Sequence, residues 1–286
     1  MEAVLTKYKQ FLEIQIAMKP RSVNEYMTVL RVLHETLNTN LFTLKNPCEV
    51  DDLVIAAGRS RISRRCPDGW RQRMLYKAGA ITHHFFTWAF AYELVAKNPY
   101  PFITFKKGKI PNPKFLTNDE FNHVKFKQGY TLWEQAMVSL LCDCGPRIGE
   151  IGLMEITDVQ LLKRLVFIRR TKTDKPREVP FSKRTRTLLL AHISEIQLRF
   201  KTNVLFPNET GGLITSSALS KRFIRITGVN PHSIRHTVGR MWIAQGKDIS
   251  IVCRLLGHTS TAMTLHYLNF TGEDLKKHAD EVDQAA

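Results

Sequence analysis

No stretch of the 286-residue chain approaches the roughly 18 to 20 consecutive apolar residues that a membrane-spanning helix requires. The N-terminal MEAVLTKYKQFLEIQ also lacks the uninterrupted apolar core of a secretory leader. Cysteine is sparse: Cys48, Cys66, Cys142, Cys144 and Cys253 form an odd, scattered set without a C-x-x-C pair. Neither a disulfide framework nor a zinc site is expected from that set, and reduced thiols in a soluble cytosolic protein are. No internal repeat or low-complexity tract is visible. With 43% hydrophobic and 24% charged residues, the chain can bury a substantial core, and its length suits two domains.

Acidic residues are in deficit. Lys plus Arg number 42 against 26 Asp plus Glu, a formal charge of +16 that favours a polyanionic partner, with nucleic acid the first candidate. The excess is not confined to a tail: 17 basic and 9 acidic residues precede position 111, and 25 and 17 follow it. Both parts are therefore expected to touch one long ligand.

Residues 1 to about 105 read as helical. Val4, Leu5, Tyr8, Phe11 and Leu12 recur at helical spacing, as do Tyr26, Leu30, Leu33 and Leu37 after Ser22-x-x-Glu25, which reads as a capping box. Arg59, Arg61, Arg64, Arg65, Arg71 and Arg73 then concentrate six arginines in fifteen positions. The guanidinium fork suits phosphate, so this segment is expected to grip DNA; a solvated basic loop is the plainer alternative. An aromatic run, His83 to Tyr92, reads as packing. KKGKIPNPKFL, holding Pro111 and Pro113, resists helix and strand and reads as a linker over 108–116 between domains 1–107 and 117–286.

The second part resumes with a Thr117-x-x-Glu120 capping box and an apolar helix from Leu132 to about Cys144. RLVFIRR and REVPF flank TKTDKP, which predicts a β-hairpin with basic residues near its tip. Five signals there could carry chemistry, each with a plain structural alternative. Arg147 could pair with Glu150 to close a helix turn. Lys172, with Lys175 and Arg177 nearby, could be a solvated turn lysine. His232 and Arg235 stand i and i+3 on a helix that Asn230 would cap and Pro231 would open, which sets imidazole beside guanidinium. Gly257 reads as a left-handed cap with His258 at the helix terminus. Tyr267 falls on a short helix begun by Thr259 or Ser260, where it could equally be a core aromatic.

Their order matters more than any one of them. CGPRIGEIGLMEITDV (144–159), TKTDKPREVPF (171–181), HSIRHTVGRMWIAQG (232–246) and LLGHTSTAMTLHY (255–267) together resemble the tyrosine recombinase (phage integrase) family, in its compact Xer-, Cre- or integron-like form. The likeness spans the second domain, and the first resembles that family's helical, SAM-like core-binding domain. The resemblance implies a mainly α protein with a small β-sheet and a mixed α/β catalytic domain. It also implies a site-specific recombinase that acts through a 3′-phosphotyrosine and a Holliday junction.

By this resemblance Tyr267 is the nucleophile, which stores the broken bond as an ester, while Arg147, Arg235, His232 and His258 donate to the charged phosphate oxygens. His232 also accepts the tyrosine proton, Lys172 (or Lys175) protonates the leaving 5′-oxygen, and Glu150 braces the site. No cofactor or metal is required. The implied partners are a double-stranded recombination site and a homotetramer on DNA, with an accessory DNA-bending or directionality protein left open and no membrane. Thr271-x-x-Asp274 would cap a tail helix that docks on a neighbouring subunit. The core-binding domain is expected to begin almost at Met1, without the extra arm-binding module that many phage integrases carry. Pro146, where a larger apolar residue is common, and Trp242 depart mildly from the family pattern. A catalytically idle DNA-binding regulator and a lone topoisomerase are the competing readings.

Overall fold

The computed structural model describes residues 1–38, 40–61, 67–108, 113–169 and 176–258. The chain divides into two compact units, Met1–Pro111 and Asn112–Ala286. It is mainly helical with one small sheet, and no described helix is long and apolar enough to cross a membrane.

The first unit comprises α1 (Glu2–Gln10), α2 (Pro20–Leu37), α3 (Pro47–Ser60) and α4 (Gln72–Ala91). A π-helical turn over Phe11–Gln15 prolongs α1, and the expected stripe closes onto the core through Leu5, Tyr8 and Leu12. The capping box expected at Ser22 and Glu25 does not form. Helix α2 starts three residues earlier, with Lys19 as N-cap and Pro20 in its first turn, because the proline ring is already set to helical φ and has no N–H to satisfy. Glu25 is instead paired with Lys77 of α4. The aromatic run does pack: Tyr8 meets Phe85 edge-on at 5.2 Å and Trp88 at 4.9 Å, and Phe85, Phe86 and Trp88 are buried. Each such side chain removed from water contributes about 1.5–3 kcal/mol. The run emerges at its end, where Phe90 and Tyr92 are exposed.

Residues 98–108 are strapped back across α4 and α3. Tyr100 donates to Asp51 at 2.7 Å, Gln72 donates to the Lys106 carbonyl at 2.9 Å, and Phe105 lies over Gly79, where a Cβ would meet its ring at 2.8 Å. At the other end of the expected linker, the Leu116 N–H donates to Thr237 Oγ1 at 2.9 Å and Phe115 lies against His236 and Arg240. Residues 115 and 116 thus belong to the packing of the second unit.

The second unit is built on α6 (Leu132–Cys144), preceded by α5 (Asn118–Phe126). Both carry full capping boxes, from Thr117 with Glu120 and from Thr131 with Glu134. Helix α6 is buried almost all round from Ala136 to Cys144, which is why its sequence shows no polar face. It ends at Gly145 in the left-handed conformation, φ +57°. After the short α7 (Ile148–Ile151) come β1 (Val159–Gln160), β2 (Leu165–Ile168) and β3 (Arg177–Pro180), an antiparallel sheet in that order. The register sets Val166 opposite Val179 and Ile168 opposite Arg177, so Arg177 shares the inward face with the core valines. Among the described residues four more helices follow: α8 (Lys183–Arg199), α9 (Ser216–Thr227), α10 (Pro231–Ala244) and α11 (Ile249–Leu256). Asp143, at the end of α6, ties α5 and α8 together by accepting from Lys125 at 2.6 Å, the Ser182 N–H at 2.8 Å and Thr185 Oγ1 at 2.6 Å.

Candidate active site

The centre of the site is the C-terminus of α11. Asp248 caps its start by accepting from the Ser250 N–H, and Gly257 closes it with φ +67°. The Gly257 N–H donates to the Arg254 carbonyl and the His258 N–H to that of Cys253, a Schellman closure in which the carbonyls of residues 255, 256 and 257 have no main-chain partner among the described residues.

Three arginines from three different elements take those carbonyls in turn. Arg177 Nε donates to Leu255 O at 2.7 Å, Arg235 Nη2 donates to Leu256 O, and Arg147 Nη2 donates to Gly257 O at 3.1 Å. A helix C-terminus carries roughly half a negative charge, so cations are favourable there. Arg235 Nη1 also donates to Gly145 O at 2.8 Å, so its guanidinium bridges the ends of α6 and α11. Local sequence puts Arg235 in reach: Asn230 accepts from the His232 N–H at 2.9 Å, Pro231 opens α10, and Arg235 follows on the buried face.

Glu150 holds the arginines from the opposite side. It accepts the Arg147 N–H at 2.8 Å and Arg147 Nη1 at 2.9 Å, so the turn-closing role expected for this pair is real. It is also clamped by Arg177, whose Nη1 and Nη2 reach its two oxygens at 3.2 and 2.7 Å, with both side chains 3% exposed. Burial alone would raise its carboxyl; the hydrogen bonds and charge of Arg177, the Arg147 N–H and the charge of Arg235 outweigh that and hold it below the usual range.

Three imidazoles surround this cluster and are neutral. His258 is lowered to about 3, by burial first and then by Arg235 and Arg147, and His236 to about 4, by burial, His232 and Arg235. His232 remains accessible at the surface, yet loss of water around its ring, followed by Arg235 and Arg147, lowers it as well. At neutral pH the three guanidinium groups and one carboxylate therefore leave a net charge near +2 on a preorganised, water-poor scaffold, with neutral imidazoles able to donate or accept. Such a site is suited to an anionic group that gains charge as it reacts. Among the described residues no cluster of three or more His, Cys, Asp or Glu is placed to hold a metal ion.

Of the residues expected to act together, Arg147, Glu150, His232, Arg235 and His258 meet around α11; Lys172, Lys175, Tyr267 and the tail helix lie outside the described residues. Pro146 is buried next to Gly145, and Trp242 packs against Val252 and Leu256. In the first unit Arg59 and Arg61 close α3 while Arg71 and Arg73 open α4, and the Trp70 N–H donates to Gly58 O at 3.1 Å, which brings the two ends together. All four side chains are exposed, and Arg61 pairs with Glu35; Arg64 and Arg65 lie outside the described residues. Two members of the site were not singled out from sequence. Arg177 was legible from the alternation in REVPF, where it shares parity with the inward Val179, and His236 from its place one turn after His232.

The helical frame with its three-stranded sheet is that of tyrosine recombinase catalytic domains. A lambda integrase (residues 75–356) dimer bound to a core site superposes with a TM-score of 0.72 at 16% identity, over 95% of this chain and 96% of that one. The Tn1549 transposon integrase in complex with a circular intermediate DNA superposes at 0.70 and 16% identity, over 97% and 99%. Residues 114–273 match the phage integrase family, and the chain belongs to that family. Relatives include the tyrosine recombinase XerC of Actinobacillus succinogenes, 26% identical over 298 residues with 100% of this chain and 97% of the relative covered. XerC of Bacillus subtilis is 25% identical over 225 residues, 73% of this chain and 74% of the relative. Membership of the family implies site-specific DNA recombination.

Proposed function

We propose that this protein cuts and rejoins DNA strands through a covalent 3′-phosphotyrosine on Tyr267 and exchanges them through a Holliday junction. The observation that carries this reading is the convergence of Arg147, Arg235, His232 and His258 around the end of α11, with His258 nine residues before Tyr267 in the chain. Arg147 and Arg235 neutralise the non-bridging oxygens of the scissile phosphate, and His258 adds a hydrogen bond. A neutral His232 is in the right state to accept the tyrosine proton, which the low pKa of its ring supports. Lys172, with Lys175 as the other candidate, protonates the leaving 5′-oxygen. Glu150 braces Arg147.

The exposed arginines of the first unit, with Arg64 and Arg65, contact phosphates along the recombination site. The active assembly is a homotetramer on double-stranded DNA in the cytoplasm. The relatives' name, tyrosine recombinase, and the DNA-bound state of the lambda and Tn1549 integrases support the same substrate.

The test mixes purified protein with fragmented DNA from its own replicon, in EDTA and without ATP, followed by isolation and sequencing of SDS-resistant adducts, with Tyr267→Phe in parallel. Adducts that need Tyr267 and cluster at one sequence are expected. DNA that is retained natively while wild type and Tyr267→Phe give equal adduct would point to a DNA-binding regulator with idle chemistry.

A further inference from the structure

Arg177 is buried, and its side-chain bonds all run to the site; with its side chain 3% exposed, it cannot itself reach a ligand. It enters from β3 and spends Nη1 and Nη2 on the two oxygens of Glu150 and Nε on the Leu255 carbonyl. Arg147, by contrast, reaches Glu150 through Nη1 alone, at 2.9 Å, and its side chain remains 19% exposed. One carboxylate thus faces two guanidinium groups, and the fork geometry that would give Arg147 a bidentate pair is already occupied.

We infer that Arg177 is a positioning residue: by saturating Glu150 it keeps Arg147 from collapsing onto that carboxylate and so keeps Arg147 presented to the phosphate. The inference rests on the strand-cutting reading above. The same bond network fixes the end of α11 through Leu255, three residues before His258. Without Arg177 the buried Glu150 has Arg147 as its remaining side-chain partner among the bonds described, and a buried carboxylate draws in whatever cation it can reach. The donors that Arg147 then gives to Glu150 are lost to the substrate.

This makes Glu150 harmful once Arg177 is gone, which a purely structural role would not do. The test uses the full chain and a nicked duplex carrying the sequence recovered from the adducts, at saturating protein. Single-turnover formation of the covalent adduct is read together with native DNA retention and thermal melting. Arg177→Met is expected to retain DNA and to cleave about 10- to 100-fold more slowly. Adding Glu150→Gln to it, which removes the charge but keeps an oxygen for the Arg147 N–H, is expected to restore cleavage at least fivefold.

Cleavage by Arg177→Met within twofold of wild type overturns the inference, as does a double variant no faster than the single one. If Arg177→Met does not fold, Arg177→Lys is measured instead; a loss of fivefold or more with DNA retained is expected, and a wild-type rate overturns it. A wild type without any Tyr267-dependent adduct overturns the strand-cutting reading and this inference with it, whereas an active wild type with indifferent Arg177 variants overturns this inference alone.

Discussion

Replacing Gly257 by alanine tests whether the end of α11 and the Arg177 guanidinium are packed as tightly as described. Two costs add. Gly257 has φ +67°, a conformation in which a Cβ costs about 1 kcal/mol. That Cβ would also lie 2.8 Å from Arg177 Nη1, 3.0 Å from Cζ and 3.2 Å from Nε. A long surface side chain would swing aside, but this one is held by Glu150 and by the Leu255 carbonyl. Weakening those charge-assisted bonds costs roughly 2 kcal/mol more. A total of about 3 kcal/mol lowers the melting temperature of a unit of this size by about 6–12 °C. Gly228 provides the control: it caps α9 at φ +73° with nothing within 4 Å of a built Cβ, so Gly228→Ala carries only the backbone cost, about 2–4 °C. Melting curves of the two variants beside wild type make the comparison. Equal shifts would falsify the argument, because the difference between them is the displacement of Arg177.

Asp143→Ala leaves Lys125, 17% exposed, facing a partly buried void and strips the acceptor from Ser182 and Thr185; a loss of about 3 kcal/mol is expected from urea unfolding, and less than 1 would contradict the bonds described. His258 and His236 titrate far below an unfolded histidine, so the unfolded chain binds more protons between pH 6.5 and about 3. Their contribution to stability is therefore complete above 6.5 and is lost as pH falls towards 4. His258→Gln should flatten that slope in melting temperatures recorded from pH 7 to 4, and an unchanged slope would count against the buried, neutral state. Arg235→Lys keeps a charge but cannot bridge Gly145 O and Leu256 O; DNA retention with adduct formation reduced about 10²- to 10³-fold is expected, and wild-type adduct yield would remove Arg235 from the proposed clamp.

Much of this architecture is legible in the residues. Local chemistry sets the caps at Thr117 and Asn230 and the left-handed end at Gly257, which short-range rules read from the sequence; the caps at Thr131 and Ser182 and the left-handed end at Gly145 obey the same rules. The hairpin was legible because β2 and β3 alternate. Where two local signals compete the reading fails: at the start of α2 the fixed φ of Pro20 prevails over a Ser22–Glu25 box, and Glu25 finds a cation 52 positions away. The carbonyl partners of Arg147, Arg177 and Arg235 are 110, 78 and 21 positions distant, and no spacing rule on one chain foretells such bonds. The motif order announced that Arg147 and Arg235 would meet; that Arg177 joins them, and what all three hold, the fold decides.

The acceptors that seat the three arginines at the end of α11 are main-chain carbonyls, which every residue carries. A substitution at 255 or 256 changes the volume packed beneath the helix but leaves C=O groups in place for Arg177 and Arg235. The demand on sequence at this end of the helix is therefore one of shape, concentrated on the single position where the chain turns left-handed against Arg177. The seats of Arg177 and Arg235 are thus indifferent to which side chains stand at 255 and 256, and the charged cluster can keep its carbonyl partners while those letters change.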